Sequence, residues 1–179
     1  MSGTPSGQTP AARAPRTWLF GDNVTTDALA PGAYMKLSIG EIARHCLESV
    51  EPSFASTVAP GDFVVGLRNF GAGSSREQAP QALKHLGVAA VLAQSYGGIF
   101  YRNAINLGLP VLVCPHTASI SADDVLALDA VAGKLSIVNR GVVLDCEPIP
   151  PHLMRMLDDG GLVPHLKKRF AARREGSAT

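Results

Sequence analysis

Apolar residues along this chain fall into blocks of two lengths. Short apolar runs without polar interruption are typical of strands covered on both faces, as in a parallel sheet with crossover helices. Three such runs occur: 62–67, 88–93 and 109–114. Longer blocks repeat their apolar residues at helical spacing. Three of these lie beside the runs: 39–49, 75–86 and 98–107. The pattern predicts an α/β fold.

The pattern after residue 114 predicts elements of both kinds. Ser121 followed by Asp124 has the spacing of a helix cap, so we expect a capped helix over 121–128. Asn139 and Gly141 lie between two short apolar runs and predict a hairpin turn. The remaining expected elements are strands at 135–138 and 141–146 and helices at 150–160 and 164–174.

The chain is expected to form one domain over residues 16–166. Residues 1–15 are rich in proline, glycine, serine and alanine, so we expect a disordered leader there. Its arginines and lack of acidic residues leave a targeting segment as the alternative, although prolines and glycines disfavour the required amphipathic helix. Residues 167–179 are predicted to be a basic C-terminal tail, either solvated or docked on an acidic partner surface.

The composition narrows the class of protein. Of the 179 residues, 46% are hydrophobic and 17% are charged, which is typical of a soluble globular protein. A formal net charge of +1 gives no electrostatic reason to expect a nucleic acid or a membrane as the main ligand. No apolar run reaches the roughly 20 residues that span a bilayer, and no signal-peptide core is seen. We expect a cytoplasmic protein.

The cysteines do not suggest a metal site in this chain. Cys46, Cys114 and Cys146 are odd in number and lie far apart, and none belongs to a C-x-x-C pair. This spacing fits neither a disulfide framework nor the local ligand set of a metal or cluster. A reducing compartment is the simplest setting for such thiols.

Residues 69–77 read N-F-G-A-G-S-S-R-E and carry the strongest chemical signal. Alternate glycines let the backbone turn tightly, so that successive N–H groups can face one concavity. A helix beginning there would add its positive N-terminal dipole, and Arg76 would add a cation suited to carboxylate or phosphate. The spacing matches neither a phosphate-binding P-loop nor a hydrolase nucleophile elbow. A small-anion site and a plain capped helix both remain open at this point.

Three motifs in order resemble one known family. They are G-D-N-V-T-T-D at 21–27 followed by A-P-G at 30–32, N-F-G-A-G-S-S-R-E-Q-A-P at 69–80, and S-Y-G-G-I-F-Y-R-N-A-I-N-L-G-L-P at 95–110. Over about residues 17–165 the chain resembles the small subunit of 3-isopropylmalate dehydratase and homoaconitase, which is similar to the mobile fourth domain of aconitase. The resemblance implies a swivelling β/β/α domain with a mixed sheet, and a hydro-lyase active only with its large subunit.

The resemblance also implies roles for individual residues. Ser74 matches the catalytic base, which removes a proton from the carbon next to a carboxylate. Ser75 and Arg76 match residues that hold the substrate carboxylate, in a loop shaped by Gly73. Asp27 matches an aspartate that pairs with a histidine of the large subunit. A [4Fe-4S] cluster is expected on that large subunit and not on this chain, with one iron binding the hydroxy-diacid substrate as a Lewis acid.

The choice of substrate stays open. Lys36, between Met35 and Leu37, lies in the loop that sets specificity in the family, and it either contacts a distal carboxylate or points to solvent. Isopropylmalate is the expected substrate. Homocitrate, citraconate and dimethylmalate are alternatives, as is a regulatory module without catalysis. The chain also departs from the commoner family pattern, with alanine for cysteine at Ala72 and two glycines for an alanine and an arginine at 97–98.

Overall fold

The strands form two separate sheets. The computed structural model describes residues 13–176, with side chains described as far as residue 174. Strands β1 (Thr17–Leu19), β2 (Phe63–Val65), β3 (Ala90–Ala93) and β4 (Val111–Val113) lie side by side in this order and are all parallel. Strands β5 (Leu126–Asp129), β6 (Lys134–Ile137) and β7 (Val142–Asp145) form an antiparallel sheet. The predicted α/β fold with both kinds of strand is confirmed.

Helices surround the parallel sheet. They are α1 (Thr26–Leu29), α2 (Ile39–Ala43), α3 (Phe54–Thr57), α4 (Gln78–His85), α5 (Gly98–Leu107), α6 (Pro151–Asp158) and α7 (Leu162–Gly176). Helix α4 packs against α1, α2 and α5, and α5 packs in turn against α6 and α7. Gly108 ends α5 in the left-handed conformation, as its position after an apolar helix predicts.

The parallel sheet positions the three motifs at one edge. Strands β2 and β3 are buried along their whole length, which explains their uninterrupted apolar sequence. Trp18 is paired with Val64, Val64 with Val91, and Val91 with Val111, so the four strands are in register. Because parallel strands end at the same edge, the segments that follow β1, β2 and β3 meet there. These segments contain the three motifs.

The predicted helix over 121–128 is wrong. Asp124 does accept a hydrogen bond from the Ser121 N–H (2.7 Å), as a helix cap would, but it also binds Arg140 (2.6 Å). The chain then continues as β5, whose residues pair with β6. Thr17 donates to the Asp124 carbonyl (2.7 Å) and joins the two sheets. Pairing with distant residues overrides the local capping signal.

Two further predicted helices are shorter than expected. Helix α2 ends at Ala43 because Leu47 turns into the left-handed region (φ +61°) and its N–H donates to the Ala28 carbonyl (2.7 Å). Helix α4 begins at Gln78, three residues later than predicted. Pro80 is its third residue, where the missing N–H has no partner within the helix, so the proline is tolerated.

The ends of the domain are described in part. Of the predicted leader 1–15, residues 1–12 lie outside the described part of the chain. Arg13 donates to Asp62 (2.6 Å), which also binds the Arg16 N–H (2.8 Å) and the Trp18 indole (2.9 Å). The predicted tail from residue 167 continues α7 as far as residue 176. The division of the chain at residues 15 and 166 remains a prediction.

Candidate active site

The loop after β1 and the glycine turn after β2 are joined by backbone hydrogen bonds. The Gly71 N–H donates to the Val24 carbonyl (2.7 Å), and the Thr26 N–H donates to the Ala72 carbonyl (2.8 Å). Thr25 and Ala72 form a parallel bridge between them. The first and second motifs therefore build one site.

Buried aromatic rings support the glycine turn from below. Gly71 has φ +73°, and a Cβ at this position would lie 2.2 Å from the Phe100 ring. Phe70 packs edge-to-face on Phe100 with the ring centroids 5.5 Å apart. The Gly97 N–H donates to the Phe70 carbonyl (2.8 Å) and brings in the third motif. Only glycine fits at position 71, because both the conformation and the space exclude a side chain.

Ser74 is exposed, and its neighbour Thr26 is buried. The Ser74 N–H donates to Thr26 Oγ1 (3.0 Å), and the two hydroxyl oxygens lie 3.4 Å apart. Gly73 between the turn and Ser74 has φ +120°, and a Cβ there would lie 2.9 Å from Thr26 Oγ1. Ser75 is also exposed. The Ser74 oxygen is open to a ligand or a partner, and its position is fixed by the buried threonine.

Arg76 is held by Asp27 from the other loop. The two side chains form an ion pair, and the guanidinium also donates to the Ala30 carbonyl (2.9 Å). Asp27 Oδ1 accepts a further hydrogen bond from the Gly32 N–H (3.1 Å). The hydrogen bond from Arg76 and that from Gly32 hold the pKa of the Asp27 carboxyl below its usual value. Asp27 therefore stays charged at neutral pH and orients Arg76.

The specificity loop begins directly at this ion pair. Gly32 opens a short 3₁₀ turn over Gly32–Tyr34, and a Cβ on Gly32 would lie 3.4 Å from both Arg76 and Asp27. Tyr34 stacks on His45 at a centroid distance of 3.6 Å, which anchors the far side of the loop. Lys36 is exposed, and within the described residues its side chain has no hydrogen-bond partner.

Comparison with known proteins agrees with this geometry. Residues 48–116 match the family model of the aconitase C-terminal domain. The methanogen homoaconitase small subunit of Methanothermobacter thermautotrophicus is 47% identical over 156 residues, which is 86% of this chain and 89% of the relative. The 3-isopropylmalate dehydratase small subunit 2 of Archaeoglobus fulgidus is 48% identical over 157 residues, or 86% of this chain and 93% of the relative.

A solved structure gives the same result at the level of the fold. The crystal structure of 3-isopropylmalate dehydratase from Methanocaldococcus jannaschii superposes with a TM-score of 0.85 at 39% identity, over 90% of this chain and 97% of that one. This chain belongs to the small-subunit family of 3-isopropylmalate dehydratase and homoaconitase. The family, the fold and the role of small subunit in a heteromeric hydro-lyase are as the sequence motifs predicted.

One physical argument for the family's serine needs correction in this small subunit. Ser74 was expected at the start of a helix, but α4 begins at Gln78, and the helix dipole acts mainly within the first turn. The Gly71 and Ser74 N–H groups already have acceptors within the chain, so they do not form the expected open concavity. The nearest fixed polar groups around Ser74 are instead the Thr26 hydroxyl and the Arg76 side chain two residues on.

The described residues do not fit an iron–sulfur cluster. No group of three or more histidine, cysteine or acidic side chains within residues 13–174 is arranged to hold a metal ion. Cys46, Cys114 and Cys146 are buried, and burial raises the pKa of the Cys46 thiol. The described helices also include none that is both long and apolar enough to cross a bilayer.

Thr26 is the site residue that sequence reasoning missed. It belongs to the motif at 21–27, from which only Asp27 was assigned a role. The adjacent threonines were the available signal, but the buried one can be identified only when the second loop is in place. The structure brings Asp27, Gly73, Ser74 and Arg76 together, with Lys36 on the adjoining loop.

Proposed function

We propose that this chain supplies the base and the carboxylate-binding groups of a 3-isopropylmalate dehydratase. In this reaction a hydroxy diacid loses water to give an unsaturated diacid, and water then adds back so that the hydroxyl moves to the adjacent carbon. The observation that carries the proposal is the exposed Ser74 hydroxyl next to Arg76, on two loops fixed to each other by Thr26 and Asp27.

Ser74 is the proposed base. Its oxygen takes the proton from the carbon next to a carboxylate, while the hydroxyl on the adjacent carbon leaves as water. In the reverse addition Ser74 returns the proton. A serine hydroxyl is a very weak acid, so its deprotonated form needs nearby donors and positive charge. The Thr26 hydroxyl, 3.4 Å away, and Arg76 are the candidates within this chain.

Ser75 and Arg76 are the proposed ligands of the substrate carboxylate. The guanidinium has five N–H donors in a planar fork that matches a carboxylate. Within the chain, one terminal nitrogen of Arg76 makes the contacts with Asp27 and the Ala30 carbonyl. A second nitrogen is therefore available for substrate, while Asp27 keeps the group in place. Holding the carboxylate next to the acidic proton is the positioning part of the catalysis.

Asp27 has a second proposed role toward the partner. Both of its contacts within the described residues use Oδ1. The other oxygen can accept from a histidine of the large subunit, and Asp27 is 67% exposed at its side chain. Asp27 would then join the substrate-binding arginine of one chain to a proton-carrying group of the other.

Lys36 and Gly73 are proposed to shape the substrate pocket. Lys36 lies on the loop that is tied to the Arg76–Asp27 pair through Gly32, so its ammonium group can reach a second carboxylate of a bound diacid. Gly73 leaves room next to Ser74. A lysine in this loop also favours a second candidate, a relative acting on homocitrate, citraconate or dimethylmalate, and the similar identities to homoaconitase and isopropylmalate dehydratase subunits fit either.

The partner in this proposal is the large subunit, which binds the [4Fe-4S] cluster. The cluster would act as a Lewis acid on the substrate, and this chain would contribute none of its ligands. The buried, dispersed cysteines are consistent with that division. We further propose a cytoplasmic setting, with no role for nucleic acid or membrane.

Anaerobic co-purification with the large subunit, followed by hydration assays on a panel of unsaturated diacids, tests the proposal. The Ser74→Ala complex should lose at least about 10² in kcat, because an essential proton-transfer group is removed. Ser56→Ala, an exposed serine on α3, is the matched control and should retain full activity. If Ser74→Ala kept turnover within a few-fold, the base would have to be another group. An inactive complex that still binds diacids would support a regulatory module.

A further inference from the structure

We propose that Thr26 is a positioning residue for Ser74 and that its hydroxyl stabilises the deprotonated Ser74 oxygen. The inference rests on the proposed function, in which Ser74 is the base. Thr26 is the first residue of α1 and is 2% exposed, whereas Ser74 is exposed directly above it. A buried hydroxyl thus lies behind the reactive one, on the side that water and substrate do not reach.

The hydrogen-bond inventory of Thr26 leaves its hydroxyl proton for Ser74. A threonine hydroxyl can accept through two lone pairs and donate once. Thr26 Oγ1 accepts the Ser74 N–H at 3.0 Å. Within the described residues, its one other hydrogen-bond partner is Ser74 Oγ, at 3.4 Å. The Thr26 backbone N–H donates to the Ala72 carbonyl (2.8 Å), so its position relative to the turn is fixed from both sides.

The direction of this hydroxyl contact depends on the protonation state of Ser74. When Ser74 is neutral, either oxygen can be the donor. When Ser74 has lost its proton it can only accept, so Thr26 must donate. Hydrogen bonds to an anion are shorter and stronger than those between neutral groups, and more so away from water. The contact therefore favours the deprotonated form, which is the form that acts as the base.

Gly73 makes the close approach possible. A Cβ on Gly73 would lie 2.9 Å from Thr26 Oγ1, and the φ of +120° is a conformation that side chains rarely adopt. Any side chain at this position would push the turn away from the threonine. The glycine is therefore required for the distance between the two hydroxyls, in addition to any space it leaves for substrate.

A threonine that only anchored the loop would have different consequences. Its loss would displace Ser75 and Arg76 together with Ser74, so substrate binding would weaken and KM would rise. In our proposal the loss acts on the base, so kcat falls and the basic limb of the pH profile moves to higher pH. The two roles are separated by the split between kcat and KM and by the pH profile.

The test compares variants in the complex with the large subunit, using the unsaturated diacid that the wild-type complex hydrates fastest. Thr26→Val removes the hydroxyl at nearly constant shape, and Thr26→Ser retains it. Thr25→Val is the matched control, since Thr25 Oγ1 caps α1 through the Ala28 N–H (3.1 Å) and does not contact Ser74. Melting temperature and co-purification are measured for each. If Thr26→Val does not assemble, Thr26→Ala replaces it.

We expect Thr26→Val to lower kcat about 10- to 100-fold, as for the loss of one donor to a developing anion, with KM nearly unchanged and the basic limb shifted upward. Thr26→Ser should restore both the rate and the pH profile, and Thr25→Val should lower only the melting temperature. An unshifted pH profile, a rise in KM alone, or equal damage in Thr26→Ser would overturn the inference. An active Ser74→Ala complex would instead overturn the proposed function, and an inactive one beside an unaffected Thr26→Val would overturn this inference alone.

Discussion

Gly71→Ala is predicted to destabilise the chain through a collision with Phe100. Two effects add at this position. A side-chain-bearing residue at φ +73° costs about 1–2 kcal/mol. The new Cβ would also lie 2.2 Å, 2.5 Å and 2.6 Å from three carbons of Phe100, which is 1% exposed and has no room to move. Overpacking of this kind costs about 1–3 kcal/mol, so the sum is about 2–5 kcal/mol.

Gly141→Ala is the matched control for the backbone effect. Gly141 has φ +64°, and a Cβ there would meet no atom within 4 Å. It should therefore lose only the conformational part, about 1–2 kcal/mol. The assay is urea unfolding of each purified variant, with the free energy of unfolding compared at equal m-value. The double variant Gly71→Ala/Phe100→Leu should lose less than the sum of its single changes, because the smaller side chain makes space.

Equal losses for Gly71→Ala and Gly141→Ala would refute this reasoning. They would mean that the turn moves away from Phe100 at no cost. The same outcome would weaken the account of the site, since the position of Ser74 depends on a turn that packs rigidly on that ring. Strict additivity in the double variant would lead to the same conclusion.

Three further outcomes follow from other contacts. Burial alone would raise the pKa of Asp62, but hydrogen bonds from Arg13, the Arg16 N–H and Trp18 lower it below 3.8. Its charged form therefore stabilises the fold above that pH and is lost as the pH falls below it, so Asp62→Asn should flatten the decline in unfolding free energy below about pH 4 in urea titrations at stepped pH. Lys84 donates to the Leu107 and Gly160 carbonyls, and Lys84→Met should cost about 1 kcal/mol by thermal unfolding, whereas Lys167→Met should be neutral. Arg76→Lys should raise KM at least about 10-fold in diacid hydration, because an ammonium group cannot replace the fork, and an unchanged KM would remove Arg76 from the carboxylate site.

The parallel sheet could be predicted from the sequence because its strands carry their own signal. A run that is apolar throughout, as at β2 and β3, has no alternative that leaves one face in water. The stop of α5 at Gly108 is equally local. The candidate site was also accessible, because the residues around Ser74 and Asp27 lie in contiguous motifs of the chain.

Elements that depend on distant partners were predicted incorrectly or not at all. Asp124 makes the contact of a helix cap, but β6 pairs with the chain that follows and makes it a strand. The end of α2 is set by the bond from Leu47 to Ala28, which no local pattern contains. Thr26 was missed for the same reason, since its contact with Ser74 spans 48 positions of sequence.

The central claim is that the Ser74 oxygen receives the substrate's proton, and solvent isotope exchange tests it most directly. The wild-type complex and the Ser74→Ala complex are incubated with the saturated hydroxy diacid in D₂O, and deuterium at the carbon next to the carboxylate is followed by NMR. Binding of the diacid is measured separately by calorimetry. We predict that Ser74→Ala binds the diacid and exchanges no proton, whereas exchange at the wild-type rate would contradict the account.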